Sequence, residues 1–247
     1  MVILSKYSSK DCVFLVDGYN LLGVTTQVTD SVEAMTEDTT ALGDTWEEHA
    51  YLGIKRGSFS QQGFFDDAAD SVNAALNEQQ GVSRIICYGV EGNTSGQSFT
   101  GLQGAMQMKY ERLASVGKLH RANAEYHGNG IVEDGKILHA LAARTADGDT
   151  EASSVDGAAA TADGGSAYLH VTALTLGGYT NLTVTVRQSA DNAVWEDLTV
   201  FTAVAAAPSK ERKAIVGNIK RYLAVSYAFT GAGADPSATF FAGLVRD

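Results

Sequence analysis

The residues of this chain that could do chemistry are five histidines, 29 carboxylates and two cysteines among 247 residues. His120 and His127 are the closest histidine pair, and seven residues apart on one strand they face opposite sides, so no shared metal is expected. A phosphate-binding loop would end Gly-Lys-Ser or Gly-Lys-Thr, but Gly117-Lys118 and Gly135-Lys136 run on into Leu119 and Ile137. A nucleophile elbow would centre its serine, whereas Gly92-Asn93-Thr94-Ser95-Gly96 places it one position late, and there is no His-Glu-x-x-His. Asp147-Gly148-Asp149-Thr150-Glu151 has calcium-type carboxylates without the later ligands or the turn glycine, and reads as linker. Asp66-Asp67 has the makings of an acid–base pair in a cleft, yet it precedes an apolar helical stripe and reads as a cap. Cys12 and Cys87 are too few for a disulfide scaffold or a four-thiolate zinc site. The expectation is no enzyme, no metal and no cofactor.

The elements that would carry these residues are mostly strands. Residues 12–16 form an apolar run ended by Asp17-Gly18, and Met106, Met108 and Tyr110 alternate with polar neighbours. Residues 137–141 read as another strand, followed by 167–176, 182–188, 194–202, 214–216, 222–229 and 239–245, punctuated by glycine-rich turns. In residues 189–195 a hairpin turn precedes Trp195. One helix is predicted over about 67–80, with acids at its start, Ala68, Ala69, Val72, Ala75 and Leu76 along one side, and Gly81 at its stop. The fold class is therefore mainly β, a sandwich or barrel with a single covering helix.

Residues 145–165 are almost wholly Gly, Ala, Ser, Thr, Asp and Glu, which suits a linker or weakly held edge. This divides the chain into residues 1–147, a flexible linker or weak edge at 148–165, and a C-terminal β-sandwich at 166–247. The net charge is -11, against a protein that grips nucleic acid through its phosphates. Eleven acids and two bases fall within residues 25–80, while Lys210, Arg212, Lys213, Lys220 and Arg221 cluster late, a polarity that could draw copies together. The apolar run at residues 1–4 is too short for a signal peptide and no stretch reaches membrane-span length. A soluble intracellular product is expected.

The order of several segments resembles the major tail tube proteins of long-tailed, non-contractile bacteriophages, siphovirus type. Phe14-Leu15-Val16-Asp17-Gly18-Tyr19-Asn20 opens a strand pair; residues 38–45 carry Thr40-Ala41-Leu42-Gly43-Asp44; residues 51–60 carry Gly53-Ile54-Lys55-Arg56-Gly57-Ser58; and Gly63-Phe64-Phe65-Asp66 turns into the helix. In the last third, Tyr168-Leu169-His170, Val186-Arg187-Gln188, Trp195-Glu196-Asp197 and Arg221-Tyr222-Leu223 resemble the C-terminal sandwich of several such proteins. Glu47-Glu48-His49 departs from the family, which often has a basic or small residue there.

The resemblance implies a structural virion protein in the tail, assembled in the host bacterial cytoplasm as stacked rings, usually hexameric, around a lumen for DNA ejection. It implies contacts with the tape measure, terminator and distal tail proteins, DNA passing without specific binding, no cofactor and no membrane. Residues 29–50 are then the ring-stacking loop, ordered on assembly, with Asp30, Glu33, Glu37, Asp38, Asp44, Trp46 and Tyr51 as candidates; Trp46 and Tyr51 could equally pack within the subunit. A subset of Asp30, Glu33, Glu37, Asp38, Asp66, Asp67 and Asp70 would line the lumen and repel phosphates. The C-terminal part would lie on the tube exterior, with Tyr179, Trp195 and Tyr222 as surface candidates. The alternatives are another virion structural protein (capsid decoration or tail terminator), or a carbohydrate-binding β-sandwich module resting on those three aromatics.

Overall fold

The structure is a computed structural model describing residues 9–68, 71–77, 81–128 and 130–247; Asp70, one of the lumen candidates, lies outside the described residues. The chain is mainly β, with antiparallel strands in two sheets and one short helix among the described residues. The strands are β1 (Val13–Val16), β2 (Tyr19–Asn20), β3 (Thr25–Asp38), β4 (His49–Phe64), β5 (Ser83–Gly89), β6 (Ser98–Leu113), β7 (Arg121–Gly128) and β8 (Val132–Arg144). They continue with β9 (Gly148–Asp149), β10 (Val155–Asp156), β11 (Gly165–Thr175), β12 (Asn181–Ser189), β13 (Glu196–Val200), β14 (Ser209–Ile215), β15 (Tyr222–Thr230) and β16 (Ser237–Arg246). The helix α1 is Val72–Leu76.

The larger sheet runs β14-β11-β16-β8-β6-β5-β1-β2 and branches at β6. One edge of β6 carries β5; the other carries β8 along residues 98–102 and β7 along residues 105–113, with β4 and then β3 beyond β7. The smaller sheet runs β10-β15-β12-β13, with β9 also on β15. Its inner residues Leu182, Val184, Val186 and Val225 pack on Leu169, Phe240, Ala242 and Leu244 of the larger sheet, making a β-sandwich.

Both faces of β1 are covered, which is why its sequence is apolar without alternation. Phe14 and Val16 join a core with Leu76 of α1, Ile86, Leu102 and Tyr126. Val13 and Leu15 join another with Phe99, Tyr168, Phe241 and Val245. There Phe99 meets Tyr168 and Phe241 edge-on, each at 5.6 Å.

Of the predicted helix, residues 69–70 and 78–80 lie outside the described residues, and among the rest only Val72–Leu76 is helical. Asp66 accepts the Ala68 N–H at 3.0 Å and Ser71 N–H bonds back to Ala68 O at 3.1 Å, so the chain is in a turn where the helix was expected to start. At the other end Asn77 is already extended, and buried Gln107 donates to Leu76 O at 2.8 Å, satisfying a terminal carbonyl.

The expected division of the chain is crossed by the larger sheet. β8 pairs with β16 from Ala238↔Arg144 to Val245↔Gly135, so strands from both sides of residues 148–165 share one ladder. That segment is no free tether. Its β9 and β10 add to β15, and Thr150 exchanges bonds with Val225, donating its N–H to Val225 O and accepting the Val225 N–H on Oγ1, both at 2.9 Å. Small side chains there fit a sheet edge held by backbone bonds. Buried Glu133 of β8 adds to the join, taking hydrogen bonds from Tyr168 and Ser166 of β11 and a salt bridge from Arg212 of β14.

The two ends of the eight-strand path also meet. Gly18, in the β1–β2 turn, donates its N–H to His170 Nδ1 of β11 at 3.0 Å. Asp17 beside it takes Lys210 of β14 at 2.7 Å and fully buried Arg84 of β5 at 3.1 Å. The larger sheet thus curls towards a barrel.

Candidate functional site

The segment expected to be a stacking loop is a β-hairpin. β3 and β4 pair from Thr25↔Gly63 to Asp38↔His49, with irregularities after Thr25 and between Ala34 and Thr36. β7 accompanies β4 only along residues 58–64, where Phe59, Gln61 and Gly63 alternate inward. Residues 49–56 are all exposed and pair with β3 alone, so a two-stranded arm leaves the body. Its tip holds itself together: Thr39 N–H donates to Glu48 O at 2.8 Å, Ala41 N–H to Asp44 at 2.6 Å, and Glu48 N–H to Thr40 Oγ1 at 3.0 Å. The tip is thus a hydrogen-bonded turn joining two strands, not an open loop. Hydrogen bonds from the Thr40 side chain and backbone hold the Asp38 carboxyl below the usual carboxylate range.

The arm carries apolar residues into solvent. Trp46 is 83% exposed and Tyr51 55%, so neither is buried in the subunit core; Val32, Met35, Leu42, Leu52 and Ile54 are exposed with them. An isolated two-stranded ribbon is marginal in water, and exposed apolar residues on one invite a partner. The other apolar residues of the arm escape sequence reading because exposure on both faces erases the period-two pattern.

The acids divide. Asp30, Glu33, Glu37 and Asp38 all lie on β3, but alternation puts Asp30 and Glu33 on opposite faces, and likewise Glu37 and Asp38. Glu33 stands across from Arg56. Asp44 locks the tip turn. Asp66 and Asp67 lie past the other end of β4, where Asp67 accepts from Asn73 at 2.5 Å and the Ala68 N–H holds the Asp66 carboxyl low.

The late basic cluster is neutralised within the chain. Lys210 pairs with Asp17, Arg212 with Glu133, Lys213 with Glu211, Lys220 with Glu196 and Arg221 with Asp156. The charge polarity expected from sequence is therefore not offered at that surface.

The three aromatics proposed as a binding surface do not converge. Tyr179 lies before β12 and tilts against Phe229 at 5.8 Å, whereas Trp195 and Tyr222 sit at the far end of that strand. The Tyr222 ring is covered by Arg221 at 4.9 Å. Trp195 is half-buried, its carbonyl accepting from Arg187 at 3.3 Å. Asp191 takes the N–H groups of Ala193 and Val194, closing the predicted hairpin turn. Among the described residues, no three His, Cys, Asp or Glu side chains gather as a metal site.

No family model and no curated protein matches the chain. Among solved structures it is similar to a chain in the virion of a native gene transfer agent particle, at 16% identity and a TM-score of 0.37, covering 51% of this chain and 97% of that one. A chain from the tail of an empty gene transfer agent particle with C6 symmetry gives 17% identity and a TM-score of 0.38 over the same shares. The Dit protein of SPP1, described as a paradigm of the hub adsorption apparatus in phages infecting Gram-positive bacteria, gives 10% identity and a TM-score of 0.33, covering 95% of this chain and 99% of that one.

Proposed function

We propose that this chain is a structural subunit of a bacteriophage-type tail, without catalytic activity, that assembles with copies of itself into stacked rings around a lumen through which DNA passes. The ring number expected from the family resemblance is six, and the neighbours expected in the virion are the tape measure, terminator and distal tail proteins. The observation that carries the reading is the β3–β4 arm, whose backbone is ordered while Trp46 and Tyr51 stand in solvent. Such a surface is stabilised by a partner. β3 pairs on one side only among the described residues, leaving an edge for a neighbouring copy to extend. The arm's acids suit a wall that repels phosphate. The half-buried, dispersed Tyr179, Trp195 and Tyr222 give no comparable support to a sugar-binding module.

Negative-stain electron microscopy of the purified protein across a concentration series tests this. Hollow filaments of constant diameter are expected; a protein that stays monomeric at every concentration overturns it.

A further inference from the structure

The arm tip and the β6–β7 turn lie at opposite ends of one strand. His49 begins β4 at the tip, while Phe64 ends it opposite Arg121, which in turn pairs with Leu113. The two ends carry opposite charge. Residues 38–48 contain Asp38, Asp44, Glu47 and Glu48 with no lysine or arginine; residues 112–121 contain Arg112, Lys118 and Arg121, with His120, and no acid. Both ends are also apolar and open: Leu42 and Trp46 at the tip, Leu113, Val116 and Leu119 on the turn. Beside the turn, Phe65, Arg112, Leu113, Ala114 and His120 line a recess of about 210 Å³. The acids nearest Phe65 are engaged locally, Asp66 by Ala68 and Asp67 by Asn73.

We propose that the arm tip of one copy docks on the β6–β7 turn of the next, with Trp46 seated in the Phe65–Leu113 recess and Glu47 and Glu48 facing Arg112 and Lys118. The docking rests on the self-assembly reading above and names the receiving surface. Because tip and receiver are different patches at opposite ends of a strand, the contact is heterologous, and with a rotation that does not close a ring its repetition extends a stack. An aromatic anchor in a pocket rimmed by opposite charge supplies affinity at its centre and selectivity at its edge.

Charge-swap variants test the pairing. E47K/E48K on the tip and R112E/K118E on the turn alter exposed positions, and each should keep the wild-type melting temperature. Each alone should raise the critical concentration for filaments by about tenfold or more, equivalent to about 1.4 kcal/mol. The two swaps combined in one chain should restore it towards wild type. In a second arm, W46C/A114C should give an intermolecular disulfide ladder on oxidation of assembled protein, and neither single cysteine should. Wild-type protein that never assembles overturns the self-assembly reading and this docking with it. Wild-type filaments with unaffected swaps and no ladder overturn the docking alone. Swaps that abolish filaments without rescue in the combined variant likewise overturn the pairing, pointing to separate partners for tip and turn.

Discussion

The backbone N–H of Gly18 donates to Nδ1 of His170 at 3.0 Å, across 152 positions of sequence, and this bond sits where the first and last strands of the larger sheet's path approach each other. Gly18 has φ +89, and a Cβ there would lie 2.6 Å from the Ser209 carbonyl oxygen of β14. Gly18→Ala is therefore expected to destabilise the fold by more than about 2 kcal/mol, combining backbone strain with a collision that only movement of β14 relieves. Urea denaturation checks this; a midpoint equal to wild type shows that the closure does not constrain the turn.

Two buried histidines predict acid sensitivity. Burial holds both His139 and His170 down to about 4, with Arg144 beside the first and Lys210 beside the second opposing a positive charge, while Asp17 favours one at His170. Arg84 also reaches Asp17, beside His170. Because Gly18 donates to Nδ1, the proton of neutral His170 is on Nε2, which is buried without a hydrogen-bond partner. The unfolded chain binds protons below about pH 6.5 and the folded chain does not until about 4. The histidine contribution is thus complete above pH 6.5 and falls as pH drops towards 4, by on the order of 1.4 kcal/mol per pH unit for each. Melting temperatures from pH 7.5 to 4.5 should fall more gently in His170→Asn, whose amide oxygen can still accept from Gly18. An unchanged slope would remove His170 from the account.

Arg84 is fully buried, and Asp17 is its one charged partner among the described residues. Asp17→Ala leaves an uncompensated buried cation and is expected to cost about 3–5 kcal/mol. Asp17→Asn, which keeps an acceptor for Ile85 N–H and tolerates the φ of 54, should lose less. Chemical denaturation of the two variants reads the difference; equal losses would show that the acceptor and turn geometry that Asn keeps add nothing beside the charge that both variants lack.

Trp46 gives an optical report on the arm. In a Trp195→Phe background its emission should be that of a solvated indole in dilute protein and shift to the blue as filaments form. Trp46→Ser should leave monomer stability within about 0.5 kcal/mol, as expected for an exposed site. A monomer already blue-emitting would mean the arm folds back on its own body.

A fragment of residues 1–147 is expected not to fold. Without β11 and β16 it exposes Val13, Leu15, Phe99 and Ile137, which Tyr168, Phe241 and Val245 otherwise cover. Strong dye binding and lost near-ultraviolet circular dichroism are the expected signs. A cooperative unfolding transition in the fragment would restore the two-domain division.

The sequence makes legible those strands whose burial has a pattern. Val13–Val16 stands out as an apolar run, residues 106–110 alternate, and the strands after 165 are separated by turn residues. β14 reads short because Lys210, Glu211, Arg212 and Lys213 hide it; their ion pairs appear only when Asp17, Glu133 and Glu211 are placed. The arm reads as a loop because nothing covers either face. The pairing of β8 with β16 has no local signature, so small side chains at 148–165 suggest a division that the ladder spans. Trp46 stands out by its type. The β6–β7 turn stands out only when residues 112–121 are counted together, since Gly117-Lys118 taken alone is merely a failed phosphate loop.

The place of β16 in the larger sheet also sets a clock. It lies between β8 and β11 and is made well after β8. At roughly 5–20 residues per second, a ribosome takes on the order of ten seconds to pass from the end of β8 to the end of β16. Throughout that interval the arm's sequence already exists, but the body that should hold it still lacks one wall of its core. Copies emerging side by side on one message would therefore meet with arms not yet mounted on a finished body, and the proposed assembly would wait until each chain has inserted β16.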